Sequence, residues 1–259
     1  MKTRLFWILF LSGMAGVVSV LLIDLSKLIA LLPAGSEVPP ITPLIKIVGL
    51  IQPALILLAA VLIGITLSPK VGLSAPFAEC LAVGGGRCFS VLRPQVVPGL
   101  IGGIVGTLCV VLTSAVVMPF LMKETIERIQ KFQGLLPIPM RLLYGGITEE
   151  LLIRWGLMTL LVWVTWRVLQ RHATKPTTIC FVLAILITAF VFGVAHLPAA
   201  FVLLPELSVP VIIFVIVANS AYGIVTGYLY WKYGLEAAII AHVFGHVLLA
   251  TASYIGAYF

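Results

Sequence analysis

Charge is what this sequence has least of. Sixteen Lys and Arg and nine Asp and Glu make up 10% of 259 residues, while 61% are hydrophobic. A soluble domain of this length carries about a quarter charged residues, so a water-soluble globular fold is excluded. The net charge of +7 is not gathered into a patch. Its Lys and Arg stand in short runs between apolar segments, as topology determinants do, so no nucleic-acid partner is expected. Short alternating strands are missing, which argues against a transmembrane barrel. Internal repeats are missing as well. Cysteine is sparse and no CxxC occurs: Cys80 and Cys88 fall in a loop, Cys109 and Cys180 in apolar segments, and four free thiols are expected. The "GGGR" of that loop lacks the Lys-Ser/Thr of a phosphate loop, so its glycines read as flexibility.

What is present is a series of long apolar runs. A segment crossing lipid must satisfy its own backbone hydrogen bonds, and helices do so. The expected fold is therefore all-α, a polytopic transmembrane helix bundle of about seven or eight spans. The first run follows "MKTR" and reaches Asp24 without a small-x-small cleavage site, so it reads as a retained span. Further spans are expected near 44–67, 96–122, 141–166, 179 to beyond 196, 209–231 and 235–256. Between the third and fourth, "KETIERIQKFQG" reads as a short interfacial helix ending at Gly134. The chain divides into residues 1–140, membrane helices with their loops and the interfacial helix, and residues 141–259, which hold the polar motifs. Both belong to one integral membrane domain. With the N-terminus inside, Lys2, Arg4, Lys70, Arg87, Arg93, Arg167, Arg171, Lys175 and Lys232 lie on the cytoplasmic side. The other side receives mainly Lys27, Lys123, Arg128 and Lys131, so an N-terminus in the cytoplasm and a multi-pass cell-membrane protein are expected.

One span breaks the apolar rule. "GGITEELLIRWG", Gly145 to Gly156, places Glu149, Glu150 and Arg154 between "MRLLY" and "LMTLLVWVTW". Each such charge at mid-span costs about 2.5 to 3.5 kcal/mol on the insertion scale. A buried ion pair that locks helices together is the plain explanation, and it accounts for part of the pattern. On a helix Glu150 and Arg154 stand at i and i+4 and can pair. Glu149 points about 100° away from Glu150, so one arginine cannot serve both. One carboxylate is left without a partner nearby in sequence, placed to take and return a proton.

Three of the four histidines also lie in apolar segments. "FVFGVAHLPAA" puts His196 near the end of the fifth span, and "AAIIAHVFGHVLLA" puts His242 and His246 on one face of the seventh. A single buried histidine is usually a hydrogen-bonded core residue. Three beside an unmatched carboxylate point to a functional site.

"EELLIRWG" resembles the EExxxR motif of the CAAX-processing and bacteriocin-processing (CPBP, or Abi) family of intramembrane proteases. Phe192 and His196 match its FxxxH motif, and "GYLYWKYGLEAAIIAHVFGH" resembles its third region, a helix–turn–helix leading into HxxxN or HxxxD. The resemblance covers about residues 141–250. It implies that Glu149 activates a water for attack on a peptide carbonyl and that His196 positions that water or shares its proton. It implies further that His242 stabilises the oxyanion, with Glu150 and Arg154 holding the constellation in place. The chain departs from the pattern at His246, where Asn or Asp is expected. A neutral imidazole there still offers an N–H. The change also creates HxxxH, and His196, His242 and His246 together are candidates for a zinc ligand set. A metal-free glutamate mechanism and a metal-bound water both fit these residues.

The function expected is an intramembrane endopeptidase acting on a membrane-associated protein or peptide, lipidated (prenylated) in the CAAX case, with membrane lipid around it. No Ser or Cys lies within the motifs, so no acyl-enzyme is expected. Two alternatives stand beside it. A non-catalytic bacteriocin-immunity protein would keep the motifs as structural pairs, and His246 gives that reading weight. A proton- or metal-coupled transporter would use Glu and His as a relay; Pro198, Pro205 and Pro210 would break its helices, but no inverted repeat supports it.

Overall fold

The computed structural model describes residues 1–32, 42–204 and 208–254. Its regular structure is helical throughout these residues. Seven helices are long and apolar enough to cross a membrane: Lys2–Leu22, Pro43–Val71, Cys88–Phe120, Ile138–Leu169, Thr178–Val202, Val209–Tyr233 and Leu235–Tyr254. The protein is thus a polytopic helix bundle, as its composition requires. Pro205, and the last residues expected of the seventh span, lie outside the described residues.

The third span starts earlier than expected, and the fifth, which has the expected extent, is broken within it. The third span begins at Cys88, not near 96, and continues through Pro94 and Pro98. Prolines of this kind are tolerated in membrane helices because neighbouring helices re-satisfy the freed backbone groups. The fifth span breaks after Ala195, with His196 at the joint, and resumes as Leu197–Leu203 with Pro198 in its first turn. The interfacial helix runs Lys123–Leu135.

The four-free-thiol expectation is corrected. Cys80 and Cys88 form a disulfide, with Cα atoms 5.5 Å apart, while Cys109 and Cys180 are free. Spacing alone could not show this, because the loop folds back on itself. A short helix, Pro76–Val83, ends at Gly84 in the left-handed conformation (φ 75°), and the turn returns Cys88 toward Cys80.

This loop fastens one end of the bundle. The carboxylate of Glu236 accepts the N–H of Ala78 at 2.9 Å, Gln95 accepts that of Ala237 at 3.1 Å, and Leu235 N–H donates to Ser74. Gly234 adopts φ 109°, which lets the sixth span turn directly into the seventh. The tight turn brings a Cβ-free backbone against Pro76.

Inside the bundle, close approach relies on small residues rather than on apolar attraction, because lipid is as apolar as leucine. Gly99, Gly102, Gly103 and Gly106 of the third span face Ala237, Ile240 and Ala241 of the seventh and Leu229 and Tyr222 of the sixth. Leu5, Leu9, Gly13 and Val17 form the buried stripe of the first span. It meets the fourth span where the Thr148 hydroxyl donates to Gly13 O at 2.7 Å. Large apolar side chains such as Leu44, Val97, Val116 and Phe190 point outward, the arrangement of a lipid-facing surface.

Candidate active site

The fourth span carries the polar motif on unusual backbone. Arg141–Thr148 and Leu151–Met158 are wound as π-helix, with Glu149 and Glu150 at the joint between them. Two hydroxyls follow the wide i−5 pattern: Thr148 reaches Leu143 O, and Thr159 reaches Arg154 O at 3.3 Å. Such windings concentrate at functional sites. Here the segment turns both adjacent carboxylates toward the same histidine.

That histidine is His242. Its Nδ1 lies 2.7 Å from Oε1 of Glu150, and its Nε2 lies 3.9 Å from Oε2 of Glu149. The two carboxylates differ sharply in access. The Glu150 side chain is 0% exposed and the Glu149 side chain 19%. Glu150 also faces Arg154, whose Nε is 3.3 Å from Oε2. The N–H is not aligned for a hydrogen bond, so this contact is an ion pair only. Arg154 donates from Nη2 to Gly223 O at 3.0 Å and lies over the Phe192 ring at 5.0 Å. Facing Arg154, the Glu150 carboxylate serves as an acceptor. The proton of His242 facing Glu150 is therefore on Nδ1, and Nε2 is the nitrogen turned toward Glu149.

Phe192 sits at the centre of the cluster. Its ring meets His196 at 4.7 Å and His242 at 5.9 Å, both edge to face, besides stacking under Arg154. The FxxxH spacing thus joins the fifth span to the cluster through the aromatic ring. His196 Nδ1 lies 2.8 Å from Phe192 O, which can only accept, so Nδ1 donates and Nε2 is left with its lone pair. His196 lies within electrostatic reach of Glu149.

His246 stacks on His242, with ring centroids 4.9 Å apart and planes 16° from parallel. Its Nε2 is buried and makes no hydrogen bond. Gly145 lies directly against that nitrogen, and a Cβ there would occupy its place.

The three imidazoles do not form a ligand set. Lone pairs of near-parallel stacked rings do not converge on one ion about 2.0–2.1 Å away. No group of three His, Cys, Asp or Glu side chains is placed to hold a metal among the described residues.

One residue of this site escaped the sequence reading. Tyr222 of the sixth span donates to Ala241 O at 2.7 Å and lays its ring 5.1 Å from His242. The signal was available: "ANSAYG" is a polar island in an otherwise apolar span. The six residues singled out from sequence do come together, from the fourth, fifth and seventh spans.

The fold and this cluster define a class: a multi-pass helical membrane protein with buried carboxylates and imidazoles at its centre. Residues 131–248 match the family model described as "Type II CAAX prenyl endopeptidase Rce1-like". The match is to somewhat less than half of the chain. It begins in the interfacial helix and ends within the seventh span, so it takes in the whole cluster. Neither the curated proteins nor the solved structures contain a match to the chain.

Proposed function

We propose that this protein is an intramembrane endopeptidase that hydrolyses a peptide bond of a membrane-associated, prenylated CAAX-type substrate. The observation that carries the reading is the bracketing of His242 by two carboxylates, of which only Glu149 is partly accessible. In that reading residues 141–259 form the catalytic region, and residues 1–140 are the helices packed around it.

Charge bookkeeping in the cluster is informative. Glu149 and Glu150 supply two negative charges and Arg154 one positive, so one further proton makes the group neutral. A buried group left with net charge is costly. Placed on His242, that proton would leave Glu149 able to accept one and would give Nε2 an N–H for the oxyanion.

A water lying against Glu149 Oε2 would lose its proton to that carboxylate as its oxygen attacks the substrate carbonyl. The carbonyl π electrons move onto oxygen, and an N–H of His242 or His246 stabilises the oxyanion. When the tetrahedral intermediate collapses, the C–N bond breaks and Glu149 returns the proton to the leaving amine. His196, oriented by Phe192, would hold the water through its free Nε2. No covalent enzyme intermediate is required. Nor is any step routed through a metal.

The proposed orientation keeps the N-terminus in the cytoplasm, on the basic-residue count. A non-catalytic immunity protein is the second reading. Its supporting observation is that Glu150, Arg154 and His242 link three spans and would serve as a lock without any chemistry.

The test is cleavage of prenylated and unprenylated CAAX-type peptides by purified protein in lipid nanodiscs. Wild type should cut the prenylated form, and Glu149→Gln should lower the rate about 10²- to 10⁴-fold while unfolding at the same temperature. An active Glu149→Gln protein would end this mechanism. Absence of cleavage by folded wild type would favour the immunity reading.

A further inference from the structure

A second arginine lies inside the fourth span without a carboxylate. Arg141 stands three residues into Ile138–Leu169 and is half-buried. Its Nε donates to Leu136 O at 3.1 Å, and its Nη2 donates to Gln133 O. These are last-turn and trailing carbonyls of the interfacial helix. Among the described residues no acidic side chain pairs with it, in contrast to Arg154. Carbonyls orient a guanidinium but do not neutralise it. Its charge is therefore left available to an anion at the entrance of the span.

The guanidinium stands at the entrance of the fourth span, with two of its N–H groups turned to carbonyls of the interfacial helix. It lies within electrostatic reach of His246. His246 rests on Gly145, one turn further along the same span, and stacks on His242. Arg141, His246 and Glu149 thus follow one another along the side of the fourth span that meets the seventh.

The spacing has a meaning. Eight residues separate Arg141 from Glu149. That is about 12 Å of axial rise between the two backbone positions at the α-helical pitch. Three extended peptide residues span about 10–11 Å. A CAAX sequence carries three residues beyond its modified cysteine. A substrate with its scissile carbonyl at Glu149 would bring its terminal carboxylate to Arg141.

We infer that Arg141 is a specificity residue that binds the free C-terminal carboxylate of a substrate cut three residues from its end. The inference deepens the proposed function and rests on it for the position of the scissile bond. Arginine suits the task because its planar fork matches a carboxylate bidentately, whereas lysine offers a point charge. The fixed distance makes the pair Glu149 and Arg141 a ruler, selecting for length as well as for a free end.

The experiment uses three prenylated peptides: one ending in the free acid, one in the carboxamide, and one extended by two residues. Each is assayed with wild type, Arg141→Gln and Arg141→Lys in nanodiscs of zwitterionic lipid and again with anionic lipid. Wild type should favour the free acid by about 10- to 100-fold in kcat/KM, mainly through KM. Arg141→Gln should abolish the preference, and Arg141→Lys should retain part of it. Equal treatment of acid and amide by wild type overturns the proposal. So does an equal loss on both substrates in Arg141→Gln, which would mean that Arg141 only fastens the interfacial helix. A dependence on Arg141 seen solely with anionic lipid would make it a headgroup anchor instead. Peptide binding to Glu149→Gln, with and without Arg141→Gln, gives a readout independent of turnover. If nothing is cleaved yet acid binds tighter than amide through Arg141, the protease reading fails and the carboxylate site stands. If cleavage occurs with no such preference, the reverse holds.

Discussion

Nδ1 of His242 lies 2.7 Å from Oε1 of Glu150 across 92 residues of sequence. This contact turns two adjacent glutamates into different groups. Glu150, also facing Arg154, is enclosed, while Glu149 is the accessible one. Substitution should separate them. Glu149→Gln should lower turnover about 10²- to 10⁴-fold and leave the thermal midpoint near wild type. Glu150→Gln should strand the buried Arg154 charge and cost about 3–5 kcal/mol of stability, read as a lowered unfolding temperature in detergent. Equal destabilisation by both would contradict the division of roles.

Gly145 leaves no room for a side chain beside His246. Gly145→Ala should displace that imidazole and lower kcat, by about 10²-fold if the ring touches the reacting atoms. Adding His246→Ala should relieve the collision. The double variant should then be better folded than Gly145→Ala alone, a non-additivity that a mutant cycle measures.

His246→Asn tests the departure from the family motif. An amide N–H can replace an imidazole N–H as an oxyanion donor, so activity should stay within about tenfold of wild type. The stacked, non-converging rings predict equal zinc content in the two proteins after chelation, by mass spectrometry. Zinc at one per chain in wild type, lost in His246→Asn, would require the rings to rearrange around an ion.

Tyr222→Phe removes the hydroxyl that donates to Ala241 O and keeps the ring against His242. The loss should be about 0.5–1.5 kcal/mol of stability, with KM little changed. A large fall in kcat instead would give the phenol a part in the reaction.

The disulfide and the charge count pull the membrane orientation in opposite ways. Cys80–Cys88 lies on the same side as Arg87 and Arg93, and bridges persist in oxidising compartments. Basic residues act earlier, during insertion, before a loop thiol can be oxidised. If the basic residues decide the orientation, the bridge of the folded protein closes only in an oxidising medium, so acid-quenched cells should show both thiols reduced and the purified protein should show them bridged. A bridge already formed in acid-quenched cells would reverse the orientation.

The sequence made the spans legible because composition and run length suffice for them. The i, i+4 relation of Glu150 and Arg154 likewise showed in the letters. Three things did not. The bridge depends on a left-handed turn at Gly84 that a loop of small residues does not declare. The π winding that turns both glutamates to one histidine shows only in backbone hydrogen bonds. The joining of His196 to the cluster is the third, because a span read as one straight helix shows neither the break after Ala195 nor the aromatic link through Phe192.

The order of synthesis adds a constraint of its own. The ribosome makes Glu150 long before His242, and at about 5–20 residues per second the interval is roughly 5–20 s. For that time the nascent fourth span has Arg154 as the neighbour of Glu150 within its own helix. An arginine one turn away lets the segment enter lipid carrying a provisional partner, before the imidazole that completes the cluster has been translated. Moving Arg154 to another span would preserve the finished contact and remove this early protection. The defect would then show as failed insertion of the young chain, with nothing wrong in the mature bundle.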